Sequence, residues 1–88
     1  MALKTKSCQA AAAVIYQCGS DRLLDIRVNN GVAFFLFDDP DGECQATVDR
    51  YFSDEFAVSD GAALLETFAR LRAEMMRALR EDRENNRE

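Results

Sequence analysis

The dipeptide Asn30-Gly31 constrains the fold of this chain more than any other feature. It lies at the centre of residues 23–37, where apolar side chains recur with a period of two. Asn-Gly between two such runs predicts a β-hairpin, because a type I′ turn needs positive φ at both central residues. The two-residue loop sets a register with one apolar face, formed by the opposed pairs Val28 with Ala33, Ile26 with Phe35, and Leu24 with Phe37.

The second strand of the predicted hairpin is apolar at every position from 32 to 37. Because successive side chains of a strand point to opposite faces, such a run needs cover on both of them. Val32, Phe34 and Leu36 are left over when the other three residues pair across the hairpin. We therefore expect either the last helix of the chain or a second copy of the protein to cover these three.

The predicted fold class is α+β: a short N-terminal helix, an antiparallel β-hairpin, then two helices, the last one long. Thr5-Lys6-Ser7 offers a hydroxyl N-cap to an alanine-rich first helix from Cys8 to Cys18, and Gly19 follows as its C-terminal stop. Asp39 is expected to accept from the first free amides of the second helix, with Pro40 in its first position. We expect this second helix to end near Phe52.

The last helix is predicted to begin after Ser59 or Asp60, either of which suits an N-cap. Its apolar residues repeat at spacings of three and four, at Leu64, Leu65, Phe68, Leu71, Met75, Ala78 and Leu79. Residues 1–80 are predicted to form one small domain. Residues 81–88 contain no apolar side chain, and we expect them to form a charged, frayed tail.

The residue types present argue against catalysis and against metal binding. The 88 residues include no histidine, which removes Ser-His and Cys-His pairs and the commonest general base. The acidic residues 38–43 resemble a calcium loop, but its first and twelfth positions would be Phe37 and Val48, which offer no side-chain oxygen. Cys8 and Cys18 lie on different faces of one helix and so cannot share a zinc ion. We expect a protein that is not an enzyme and that has no cofactor.

The cysteines and the hydropathy of the chain indicate its compartment. Three cysteines without a CxxC motif fit reduced thiols rather than a disulfide framework. The apolar run at residues 10–16 is too short to cross a membrane, and no signal-peptide pattern is present. We expect a soluble cytoplasmic protein with no membrane partner.

The net charge of −5 is unevenly distributed, with +2 over residues 1–37, −7 over residues 38–65 and 0 over residues 66–88. The acidic segment predicts a surface for a protein partner, consisting of Asp38, Asp39, Asp41, Glu43, Asp49, Asp54 and Glu55. An alternative patch for nucleic acid would combine Lys4, Lys6, Arg22 and Arg27 at one end of the hairpin.

Several packing and turn positions carry a resemblance to a known family. They are Ile15-Tyr16-Gln17-Cys18-Gly19, Phe35-Leu36-Phe37-Asp38-Asp39-Pro40, Val48 with Tyr51, and Phe68, Leu71-Arg72 and Met75. With these, the chain resembles a family of small phage and bacterial proteins known only as a domain of unknown function. The resemblance covers residues 7–79 and implies a mobile-element setting, but it supplies no catalytic residue.

These features predict a non-enzymatic phage or mobile-element accessory protein that acts by protein–protein interaction. Its acidic segment suggests an inhibitor or adaptor of a host nucleic-acid or defence system. A homodimer is expected, with an association surface of Val32, Phe34, Leu36, Phe68, Leu71 and Met75. The alternative is a nucleic-acid-binding accessory protein that uses the hairpin and the N-terminal basic residues.

Overall fold

The computed structural model describes residues 2–85 and has the predicted α+β fold. Three strands and three helices follow one another, with a short 3₁₀ turn after the first helix. Their bounds are β1 Ala2–Thr5, α1 Cys8–Cys18, the 3₁₀ turn Ser20–Arg22, β2 Leu23–Asn29, β3 Val32–Asp38, α2 Glu43–Phe52 and α3 Gly61–Asn85.

The three strands form one antiparallel sheet in the order β1-β3-β2, so that β3 lies in the centre. The sequence predicted only β2 and β3. β1 pairs with β3 from Ala2 opposite Asp38 to Thr5 opposite Phe35. Its four residues have no apolar alternation of their own, and their extended conformation comes from pairing with a strand 30 residues away.

The predicted hairpin is present, and most of its register is confirmed. Asn30 and Gly31 have φ of 53° and 79°, as a type I′ turn requires. The pairing of Leu24 with Phe37 is wrong, because a register shift between Leu23 and Asp25 places Leu23 opposite Phe37 instead. The side chain displaced by this bulge is Leu24, which is 61% exposed.

Helix α1 lies in the middle of the molecule. Ser7 Oγ accepts from the Ala10 amide at 3.1 Å, and the Gly19 amide, at a φ of 103°, donates to the Ile15 carbonyl at 2.9 Å. Residues 10–14 are all buried, because α1 packs against both α2 and α3 as well as the sheet. Four consecutive alanines allow this close approach on every side.

Helix α2 begins later than predicted. Its first residue is Glu43, whereas Pro40 lies in the preceding turn. The Asp39 side chain reaches across this turn, and its two oxygens accept from the Cys44 amide at 2.9 Å and the Gln45 amide at 3.1 Å. The capping role of Asp39 and the end of the helix at Phe52 agree with the sequence prediction.

Helix α3 is the longest element, with 25 residues. Asp60 caps it, because its Oδ1 accepts from the Ala63 amide at 3.0 Å. The helix continues to Asn85, so residues 81–85 of the expected tail are helical, and residues 86–88 lie outside the described part of the chain.

The core lies between one face of the sheet and the three helices. Phe35 and Phe37 are fully buried there, together with Cys44 of α2 and Leu71 of α3. All three helices therefore cover the same face of the sheet.

Candidate functional site

The opposite face of the sheet is not covered by any helix of residues 2–85. Because side chains alternate along β3, burial of Ala33, Phe35 and Phe37 directs the other three apolar residues of the strand outward. Val32 is 42% exposed, and Phe34 and Leu36 are partly exposed. We call this surface the open face: the apolar stripe of Val32, Phe34 and Leu36 with the outward side chains of the strands on either side.

Charged side chains border the apolar stripe on both sides. On β1, Lys4 lies opposite Leu36, and its Nζ is 4.7 Å from the centroid of the Phe34 ring. On β2, Asp25 lies opposite Leu36 and Arg27 lies opposite Phe34. Arg27 Nε donates to Asp25 Oδ2 at 3.1 Å, and both side chains are exposed. At the level of Leu36 the stripe thus has a positive charge on one side and a negative charge on the other.

The residues of the predicted association surface lie on two sides of the molecule. Val32, Phe34 and Leu36 are on the open face. Leu71 is buried in the core and Phe68 and Met75 pack against it, on the helical side. The apolar stripe was expected to be covered either by the last helix or by a second copy. Helix α3, as far as Asn85, does not cover it.

One residue of the predicted acidic surface is buried. Asp39 is only 3% exposed. Burial opposes its ionisation, but the hydrogen bonds from the Cys44 and Gln45 amides outweigh this and hold the pKa of Asp39 below its ordinary value. The other residues are exposed around α2 and its two ends, namely Asp38, Asp41, Glu43, Asp49, Asp54 and Glu55.

The four basic residues of the alternative nucleic-acid patch are not gathered in one place. Lys4 and Arg27 flank Phe34 on the open face. Arg22 instead lies beside the start of α2, where its Nη1 is 3.6 Å from Asp41 Oδ1. Lys6 lies in the connection between β1 and α1. Two of the four residues also have an acidic neighbour, which reduces their attraction for phosphate.

A second surface, which the sequence did not predict, is an apolar groove of about 220 Å³ where α1, α2 and α3 meet. Its lining residues are Gln9, Ala12, Tyr51, Leu64, Leu65 and Phe68. Leu65 on its wall is 70% exposed, and Phe52, which follows Tyr51 in the chain, is 64% exposed. The sequence pattern has no separate signal for this groove, because Leu64 and Leu65 both fit the apolar repeat of α3 at spacings of three and four.

An aromatic cluster lies where α1, α2 and the connection between α2 and α3 meet. Tyr16 of α1 meets Phe56 edge to face, with ring centroids 6.1 Å apart, and Phe56 meets Tyr51 at 6.3 Å. The Tyr16 hydroxyl accepts from the amides of Ser59 and Asp60 at 3.2 and 2.9 Å. Its hydrogen bonds to the Ser59 hydroxyl and the Asp60 amide lower the pKa of Tyr16. Tyr16 thereby fixes the connection between α2 and α3.

The three cysteines differ in burial, which is complete for Cys44 and partial for Cys8 and Cys18. All three are free thiols. Burial, and then the neighbouring Cys18, raise the pKa of Cys44 to about 12, so this thiol stays protonated at neutral pH. Cys18 Sγ lies 3.6 Å from Thr47 Oγ1. Among residues 2–85, no three cysteine, aspartate or glutamate side chains are placed to hold one metal ion.

Within the described residues, no helix has both the length and the apolar character needed to cross a bilayer.

The chain matches no family model, no curated protein and no solved structure. Its resemblance to small phage and bacterial proteins therefore stays a prediction. The open face and the apolar groove are the features of the protein that bear on its function.

Proposed function

We propose that the protein is a non-enzymatic binding protein that acts by protein–protein interaction and associates with a second copy through the open face. The observation that supports this proposal is the apolar stripe of Val32, Phe34 and Leu36, which no helix of residues 2–85 covers.

Leaving this stripe in water costs the protein free energy that a second copy would recover. Full burial of a Val, Leu or Phe side chain is worth about 1.5–3 kcal/mol, and part of that gain is still available for all three residues. A small domain buries a smaller share of its surface than a large one, so an added interface is a substantial contribution to its stability. Antiparallel sheets with one face in water normally carry polar residues on that face. The central strand of this sheet does not.

The open face suits a protein surface better than a nucleic acid. Its two basic residues, Lys4 and Arg27, are accompanied by Asp25, which pairs with Arg27. The exposed acidic residues around α2 add repulsion toward a phosphate backbone.

Sedimentation velocity over a concentration series from about 1 to 100 µM tests self-association. We expect the wild-type protein to form dimers in this range and Phe34→Ser to weaken dimerisation at least tenfold. Phe34 lies outside the core, so the variant should keep its fold and its circular dichroism spectrum. Leu24→Ser is the matched control, because it removes an exposed leucine from the bulge of β2.

A wild-type protein that stays monomeric throughout the series would refute the proposal, as would an equal effect of the two substitutions. Salt-sensitive binding of single-stranded DNA that Phe34→Ser abolishes would instead assign nucleic-acid binding to the open face.

A further inference from the structure

We infer that the second copy packs on the open face with its central strand β3 aligned in the same direction, so that Lys4 of each copy meets Asp25 of the other. This inference rests on the proposed function, because it specifies the partner and the geometry of the same surface.

Lys4 and Asp25 occupy matched positions on the two sides of the apolar stripe. Lys4 on β1 and Asp25 on β2 both pair in register with Leu36 of β3. They therefore lie at the same height along the strand, one on each side of it, about 4.8 Å from β3. A pair of opposite charges at equal height on the two sides of one strand is the feature that selects the orientation.

The symmetry of a face-to-face dimer decides which of these charges meet. Homodimers form around a two-fold axis, which lies in the plane of the contact when two equivalent faces meet. If the axis runs parallel to β3, the rotation exchanges the two sides of the sheet and leaves heights along the strand unchanged. The rotation then places Lys4 of one copy across from Asp25 of the other, twice, without any shift. Packed sheets lie about 10 Å apart, a distance that a lysine and an aspartate side chain span together.

The same rotation also packs the apolar stripe on itself. Each apolar residue of the stripe meets its own counterpart in the second copy. This contact removes Val32, Phe34 and Leu36 from water at once. Two packed sheets keep their strands within about 30° of each other, so the stripes overlap along their length.

The competing orientation brings like charges together. With the axis perpendicular to the strands, each side of the sheet faces its own copy. Centred at Leu36, that arrangement places Lys4 against Lys4 and Asp25 against Asp25. Centred at Phe34, it places Arg27 against Arg27. Like charges across an interface are unfavourable. Centred at Phe35, the perpendicular axis opposes Asp25 to Arg27, which already pair within each chain, and it gives Lys4 no carboxylate. The orientation with β3 aligned is therefore favoured because it brings Lys4 to a carboxylate of the second copy.

Two single charge reversals and their mixture test the inference. Lys4→Glu and Asp25→Lys each replace two attractive contacts of the dimer with two repulsive ones. We expect each variant alone to dimerise about tenfold more weakly than the wild type in low salt. In an equimolar mixture, Glu at position 4 of one chain meets Lys at position 25 of the other, and the remaining native pair is kept. The mixture should therefore form dimers about as well as the wild type at the same total concentration.

Recovery of dimers in the mixture cannot come from a general effect on folding, since each variant is present unchanged. Reversal of the exposed Glu66 on α3, as Glu66→Lys, provides a control away from the open face and should leave dimerisation unchanged. Single variants that dimerise like the wild type, or a mixture that does no better than its components, would overturn the inferred orientation while leaving the Phe34 result intact. A monomeric wild type would overturn the proposed function itself.

Discussion

At the residue scale, Asp39 shows how a buried carboxylate supports the start of a helix. Two backbone amides that have no partner inside α2 donate to its two oxygens. The charge is tolerated in a buried position because both oxygens are satisfied. An acidic residue that the sequence assigned to a partner surface thus has a structural role.

We expect Asp39→Asn to lower the free energy of unfolding by about 1–2 kcal/mol at pH 7, because an amide side chain has only one acceptor oxygen. Asp49→Asn on the exposed side of α2 is the control and should change stability by less than about 0.5 kcal/mol. Urea unfolding followed by circular dichroism measures both. Equal effects of the two substitutions would contradict the role given to Asp39.

The pH dependence of this difference follows from the lowered pKa of Asp39. A carboxyl whose pKa is lower in the folded state contributes its stability above the unfolded-state pKa of about 3.9 and loses it as the pH falls through the folded-state value. The gap between wild type and Asp39→Asn should therefore be constant from pH 7 to about 5 and shrink below about pH 4.

At the element scale, the connection between α2 and α3 depends on a contact with α1. The Tyr16 hydroxyl accepts from two amides of this connection, and its ring packs against Phe56. Residues 43 positions apart in the chain are thereby held together. The contact sets where α3 begins and so where it lies on the core.

We expect Tyr16→Phe to release the amides of Ser59 and Asp60 while keeping the ring packing. Their hydrogen exchange should become at least tenfold faster, corresponding to about 1.4 kcal/mol or more of local stability. Tyr51→Phe is the control, since the Tyr51 ring meets Phe52 and Phe56 but its hydroxyl has no hydrogen bond within residues 2–85. Unchanged exchange in Tyr16→Phe would show that other contacts hold the connection.

At the scale of the whole molecule, a long helix is attached to a small core by few residues. Leu71 is the fully buried side chain of α3 in the described part of the chain, and Phe68 and Met75 pack beside it. The same helix exposes Leu65 toward the apolar groove. The contact of this 25-residue helix with the core is therefore centred on Leu71.

We expect Leu71→Ala to destabilise the protein by about 2–5 kcal/mol, a large part of the 5–15 kcal/mol typical of a domain. Leu65→Ala makes the same chemical change at an exposed position and should cost less than about 1 kcal/mol. Urea unfolding at one fixed protein concentration separates these effects from any change in self-association. Similar losses for both variants would show that α3 is held by its whole length.

The sequence by itself determined the features that depend on neighbours in the chain. Asn30-Gly31 specified the turn because few dipeptides adopt two positive φ values. Ser7 and Gly19 specified the ends of α1, and Ser59-Asp60 the start of α3, because caps act within one turn of the helix. The six-residue apolar run also indicated correctly that β3 has an apolar outward face. These are local effects, and a single sequence contains them.

Only the tertiary structure decided which surfaces meet. β1 has no pattern of its own and becomes a strand through β3, and the bulge at Leu24 forms because Leu23 takes the position opposite Phe37. Helix α3 packs with α1 rather than over Val32, Phe34 and Leu36. The open face is therefore not covered by any helix of residues 2–85. The packing depends on the free energies of contacts between residues that are far apart in the chain. The sequence pattern is compatible with several packings of the same helices, so it does not identify the one of lowest free energy.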